Sequence, residues 1–148
     1  MNTTTSKPVV LFLCTGNSAR SQMAEALLRA RAGDRFTIHS AGLEPKGVHP
    51  VTIRVLAELG LPTDTLHSKS STEFLGKVKI TYAVVVCDSA QRSCPKVFPF
   101  TFNMLYWPFE DPAAFVGTPE QQLEKFRQVR DQIAERLDQW LVELETAQ

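Results

Sequence analysis

The chain has 148 residues, 43% of them apolar and 22% charged, with 16 basic side chains balanced by 16 acidic ones. That length suits one domain with a core of its own, and a formal net charge of zero argues against a nucleic-acid footprint or a polybasic membrane anchor. The polar stretch 1–7 and the short apolar run after it make neither a signal-peptide core nor a membrane span, so a cytoplasmic protein is expected, with no membrane and no nucleic acid among its partners.

Val9 to Leu13 form a continuous apolar run between Pro8 and the Gly16-Asn17 turn signal, the pattern of a strand buried on both faces of a parallel sheet. Met23, Ala26, Leu27 and Ala30 recur at helical spacing, which predicts a helix from about Ser18 to Arg31 that stops at Gly33. Phe36 to Ala41 alternates as a second strand, and Val51, Val55, Leu56 and Leu59 line one face of a second helix ending near Gly60. His67 to Gly76 reads as polar loop with a short helix.

A third strand is expected over Tyr82 to Val86 and a fourth near Phe102 to Trp107, before the proline-marked loop Pro108 to Pro112. The last segment, from Thr118-Pro119-Glu120, carries Leu123, Phe126, Val129, Ile133, Leu137, Trp140, Leu141 and Leu144 on one helical stripe, which reads as core packing. Strands alternating with helices predict an α/β fold with a four-stranded, mostly parallel sheet flanked by helices, in a single domain over 1–148 whose first seven residues are flexible.

In such sheets ligands gather at the carboxyl ends of strands, and Cys14 and Cys87 each follow a β-run directly. Cys14-Thr15-Gly16-Asn17-Ser18-Ala19-Arg20-Ser21 places a thiol at one end of a loop and a guanidinium near the other, with Gly and Asn between to permit tight or left-handed backbone. The loop amides of Thr15, Gly16, Asn17, Ser18 and Ala19 are expected to cradle a tetrahedral oxyanion. The helix N-terminus behind them favours both that anion and a Cys14 thiolate. Ser21 adds a hydroxyl to the sulfur, and the planar fork of Arg20 suits two equatorial oxygens in a way that Lys does not. Read without regard to chemistry, Cys14 is a strand-end core residue and Arg20 a solvated helix residue.

Asp111, in Phe109-Glu110-Asp111-Pro112, is placed either to protonate a leaving oxygen or simply to form the turn before proline, with Glu110 as the fallback acid. Cys87 and Cys94 bracket a polar stretch closed by Pro95. A helix there would hold their Cα atoms about 10 Å apart, whereas a disulfide needs less than about 7 Å, so a bond between them requires the segment to unwind. The odd number of cysteines makes a structural disulfide framework a poor reading, and neither their spacing nor the scattered His39, His49 and His67 resembles a zinc site, so no metal is assigned.

With these residues in view, the chain resembles the arsenate reductases built on the low-molecular-weight protein tyrosine phosphatase fold, the class coupled to thioredoxin. CTGNSARSQMAEALL, the Ser40-Ala41-Gly42 triplet, VVVCDSAQRSCP and WPFEDPA match in order over nearly the whole chain. The loop alone also fits the phosphatases; the cysteine pair after the third strand separates the reductases.

The resemblance implies that Cys14 attacks arsenate held by the loop and Arg20, that Asp111 assists loss of hydroxide, that Cys87 attacks Cys14, and that Cys94 then attacks Cys87. It implies no bound cofactor, reducing equivalents from thioredoxin, with glutaredoxin and glutathione as the other possible source, and a monomer. Some members carry a further cysteine where Ala19 stands. Some bind potassium beneath the loop through residues matching Asn17, Glu25 and Ser40 and an aspartate aligned near Ser70, a carboxylate missing here. Two other readings stay open: a phosphatase, against which Ala113 stands where tyrosine phosphatases of this type carry Tyr, and a non-catalytic oxyanion-binding module.

Overall fold

In the computed structural model the residues described are 7–88 and 98–147. Four strands, β1 (Val9–Cys14), β2 (Thr37–Gly42), β3 (Ile80–Val85) and β4 (Thr101–Tyr106), form one sheet in the order β2-β1-β3-β4, all parallel. β1 is central and buried, as its unbroken apolar run predicts. The strand edges shift by one or two residues from expectation: Phe36 precedes β2, Val86 follows β3, and β3 starts at Ile80 rather than Tyr82. The fourth strand likewise begins and ends a residue early.

Three helices complete the fold, α1 (Arg20–Ala32), α2 (Pro50–Ala57) and α3 (Pro119–Thr146), with α2 packed against the other two. Alternate residues of a strand face opposite ways, so Ser40 and Tyr82 share one face and His39 lies on the other. The first face meets α1 and α3: Ser40 bonds to Glu25 of α1, and Tyr82 meets the ring of Trp140 of α3 at 5.1 Å. Trp140 also packs on Phe36 and Trp107, which makes it the aromatic centre of this layer. On the opposite face the His39 ring meets that of Phe74 at 4.9 Å, tilted by 42°, after a single 3-10 turn at Ser71–Glu73.

The start of α3 follows its sequence signal closely, with Thr118 capping the helix and Gln121 closing a reciprocal capping box. Phe126, Val129, Ile133, Leu137 and Trp140 are buried along it, while Leu123, Leu141 and Leu144 lie at the margin of the core.

Two apolar positions depart from expectation. Leu59 is 47% exposed because α2 ends at Ala57 and the chain turns through Gly60 at φ +75°, and Ala30 lies exposed on α1. The converse holds at the other end of α1, which starts at Arg20 rather than Ser18 and is buried all round from Arg20 to Leu28. Its polar side chains Gln22 and Glu25 are therefore interior, where they brace the loop that precedes the helix. Among the described residues no helix is long and apolar enough to cross a membrane.

Candidate active site

The loop from Cys14 to Arg20 leaves the carboxyl end of β1 and enters α1 directly. Its carbonyls are engaged from outside: Thr15 O accepts from Glu44 N at 2.9 Å, Gly16 O from Lys46 N at 3.0 Å, and Ser18 O from His49 N at 3.0 Å. Ser68 Oγ donates to the carbonyls of Gly16 and Asn17. A trans peptide points its N–H away from its C=O, so the amides of Gly16, Asn17, Ser18 and Ala19 are turned away from these partners. Gly16, Ser18 and Ala19, with Cys14, Thr15, Arg20, Lys46 and Asp111, line a cleft of about 260 Å³. The arrangement has the form of an anion cradle at a helix N-terminus, but Asn17, expected among the cradling residues, is not part of its lining.

Asn17 sits at φ +48°, the left-handed conformation that asparagine tolerates better than most residues. Its Oδ1 accepts from Gln22 Nε2 at 3.0 Å and Lys69 N at 2.8 Å, and its Nδ2 donates to Ser21 Oγ at 2.8 Å and Ser40 Oγ at 2.9 Å. Gly42 closes the loop from the side. A Cβ there would come within 2.6 Å of Thr15 O and 2.7 Å of Asn17 N, so only glycine fits between β2 and the loop.

Cys14 is a buried free thiol whose Sγ lies 2.8 Å from Ser21 Oγ, the contact expected of Ser21. Arg20 is 3% exposed and borders the cleft; its Nη1 donates to Phe109 O at 3.2 Å, and its Nη2 lies 3.6 Å from Asp111 Oδ2. Asp111 forms the turn expected before Pro112 and also stands at the cleft. Oδ1 caps the 3-10 turn Pro112–Ala114 by accepting from Ala113 N at 3.0 Å, while Oδ2 faces Arg20 at the cleft. Glu110 pairs instead with Lys125 at 3.1 Å and does not line the cleft of Cys14, so the fallback acid is displaced.

Cys87 is buried and disulfide-bonded. It follows the strand next to that of Cys14, and the residues just before the two cysteines are joined by the Val86 N to Leu13 O bond of 2.9 Å. The two cysteines therefore stand at or just beyond the ends of neighbouring strands, which lie about 4.8 Å apart. Cys94 lies outside the described residues.

The three histidines have structural contacts. His49 Nδ1 caps α2 by accepting from Val51 N, His67 bonds the Thr65 carbonyl, and His39 meets the Phe74 ring. Burial holds His39 below its usual pKa; Glu25 opposes that shift while Arg29 and Lys69 add to it.

The residues matched to a potassium site do not fit a metal ion. One Glu25 oxygen takes the Ser40 hydroxyl and Lys69 Nζ at 3.4 Å, and the other takes Arg29 at 2.6 Å. Both contacts to Asn17 Oδ1 are N–H donors, and Ser70 is spent as the cap of the Ser71–Glu73 turn. Sequence reasoning missed Gln22, Ser68 and Lys69 as supports and Lys46 as cleft wall. They lie outside the Cys-to-Arg motif or have no pattern of their own, and act only because the fold brings them to the loop.

Residues 9–148 match the model of the family described as low molecular weight phosphotyrosine protein phosphatase. The chain is 40% identical over 134 residues to an arsenate reductase of Halalkalibacterium halodurans, covering 88% of this chain and 93% of that protein. Among solved structures, an arsenate reductase in its phosphate-binding state superposes with a TM-score of 0.75 at 28% identity, over 92% of this chain and 98% of the other. The arsenate reductase of Archaeoglobus fulgidus gives 0.73 at 32% identity, over 88% and 97%.

Proposed function

The chain belongs to the low molecular weight phosphotyrosine protein phosphatase family, and on that footing we propose that it is a cytoplasmic arsenate reductase regenerated by thioredoxin. The observation that carries this reading is the pair of cysteines at the ends of adjacent parallel strands, one in an anion cradle with a guanidinium at its rim and the other two residues beyond β3. Hydrolysis of a phosphoester needs only the first of them.

Arsenate enters the cleft with its oxygens on the loop amides and Arg20. The Cys14 thiolate, held by the Ser21 hydroxyl, attacks arsenic. An oxygen leaves as water with a proton from Asp111, giving an arsenic(V)–sulfur adduct. The Cys87 thiolate then attacks Cys14 Sγ; the S–As bond breaks, its electron pair stays on arsenic, and arsenite departs as a Cys14–Cys87 disulfide forms. Attack by Cys94 on Cys87 frees Cys14 and leaves a Cys87–Cys94 disulfide, which a thioredoxin dithiol reduces by exchange. A free Cys14 beside an oxidised Cys87 is the arrangement this sequence of exchanges ends in, which supports the reading.

The phosphatase reading shares the loop and Asp111, but the cleft wall after Asp111-Pro112 is Ala113, where tyrosine phosphatases of this type carry Tyr. The test is arsenate-dependent NADPH oxidation with thioredoxin and thioredoxin reductase, repeated with glutaredoxin and glutathione. Turnover with the first system, lost in Cys14→Ser, is expected. Turnover only with the second overturns the choice of partner, and phosphoester hydrolysis without arsenate turnover in either overturns the reductase.

A further inference from the structure

We infer that Lys69 is a positioning residue of the anion loop, its buried ammonium acting as a fixed internal cation that keeps Glu25, Ser40, Asn17 and Ser21 in register with Cys14. Lys69 is 8% exposed and grips the loop support twice: its main-chain N–H donates to Asn17 Oδ1 at 2.8 Å, and its Nζ lies 3.4 Å from Glu25 Oε1 while bonding His67 O at 3.1 Å.

The direction of every hydroxyl in the network then follows. The Glu25 carboxylate has only acceptors, so the Ser40 O–H must donate to it, and Ser40 Oγ is left to accept one hydrogen of the Asn17 amide. The second amide hydrogen goes to Ser21 Oγ, which leaves the Ser21 hydroxyl hydrogen to point at Cys14 Sγ. A carboxylate 2% exposed at the head of this chain keeps its charge only with a cation against it. Arg29 supplies one, but its side chain is 43% exposed and it binds the other oxygen; burial lowers the pKa of His39, which makes it a poor cation. Lys69 is the buried partner. With its ammonium in place and the oxygen ligands of Asn17 and Glu25 engaged, a monovalent metal ion has no vacancy to fill.

This inference rests on Cys14 as the nucleophile of the proposed reaction but is tested without turnover. The rate of iodoacetamide alkylation at Cys14, followed by peptide mass across pH and in competition with inorganic phosphate, is measured in potassium chloride and in choline chloride at equal ionic strength.

The wild type is expected to behave alike in both salts. Lys69→Ala in choline should alkylate with its pH profile moved upward and need about tenfold more phosphate for protection, the consequence of a loosened network, with potassium restoring both. Lys69→Met, which fills the space without charge, should show the same defect with no rescue, and it carries the test if the alanine variant does not fold. A folded variant with the wild-type profile, or a wild type whose profile depends on potassium, overturns the inference. Failure to reduce arsenate would overturn the proposed function and leave these readouts unchanged.

Discussion

Arg20 is held at the edge of the cleft rather than across it, by the Phe109 carbonyl on one nitrogen and Asp111 near another. This leaves a planar fork whose orientation is set before the oxyanion arrives, the preorganisation on which electrostatic catalysis depends. Lysine would keep the charge and lose the paired donors, so Arg20→Lys should lower kcat/KM for arsenate by about 100-fold while the fold, read by circular dichroism, is unchanged. A loss smaller than severalfold would remove Arg20 from the reaction. Residues of this kind are legible in sequence because their spacing, thiol to turn to guanidinium, is local. Gln22, Ser68 and Lys69 are not, since each reaches the loop by a side chain whose partner is set only when α1 and the segment before the Ser71–Glu73 turn close around it.

Elements were legible where one periodicity governs them. The capped start and apolar stripe of α3 are legible in this way, as is β1 by its apolar run, although Leu123, Leu141 and Leu144 lie only at the margin of the core. α1 was read by its apolar positions alone, yet its polar ones matter more to the site: Gln22 and Glu25 are buried, and Ala30, which the pattern placed inside, is exposed. Over Arg20 to Leu28 the helix is buried all round and has no solvent face to mark its phase.

Between α2 and α3 lies a charged clamp, in which Arg127 and Arg130 both bond the Glu58 carboxylate that follows α2. The hydrogen bonds from Arg127, with Arg130 adding, pull the Glu58 pKa from 4.5 down to about 2 against partial desolvation. A folded-state pKa below the unfolded one stabilises above the unfolded value and is lost as pH falls through the folded value. Glu58→Gln should therefore unfold at lower urea than the wild type at neutral pH, and the gap should close between about pH 4.5 and pH 2. A gap constant across that range would show that the clamp contributes nothing through its charge.

At the scale of the molecule, function follows from strand order. In β2-β1-β3-β4 the first and third strands in sequence are neighbours, and this alone brings together two cysteines far apart in the chain. The rule that ligands sit at strand carboxyl ends made such a meeting an expectation, but alternating strands and helices do not say which strands touch. The order does, and it makes the first exchange of the proposed relay a reaction between adjacent strand ends. The second exchange depends on Cys94, and the account is tested most directly there. Cys94→Ser, given arsenate and thioredoxin with its reductase, should release about one equivalent of arsenite and stop, with a Cys14–Cys87 disulfide found by peptide mass. Sustained turnover by that variant, or a single turnover that leaves Cys87 as a free thiol, would contradict the relay.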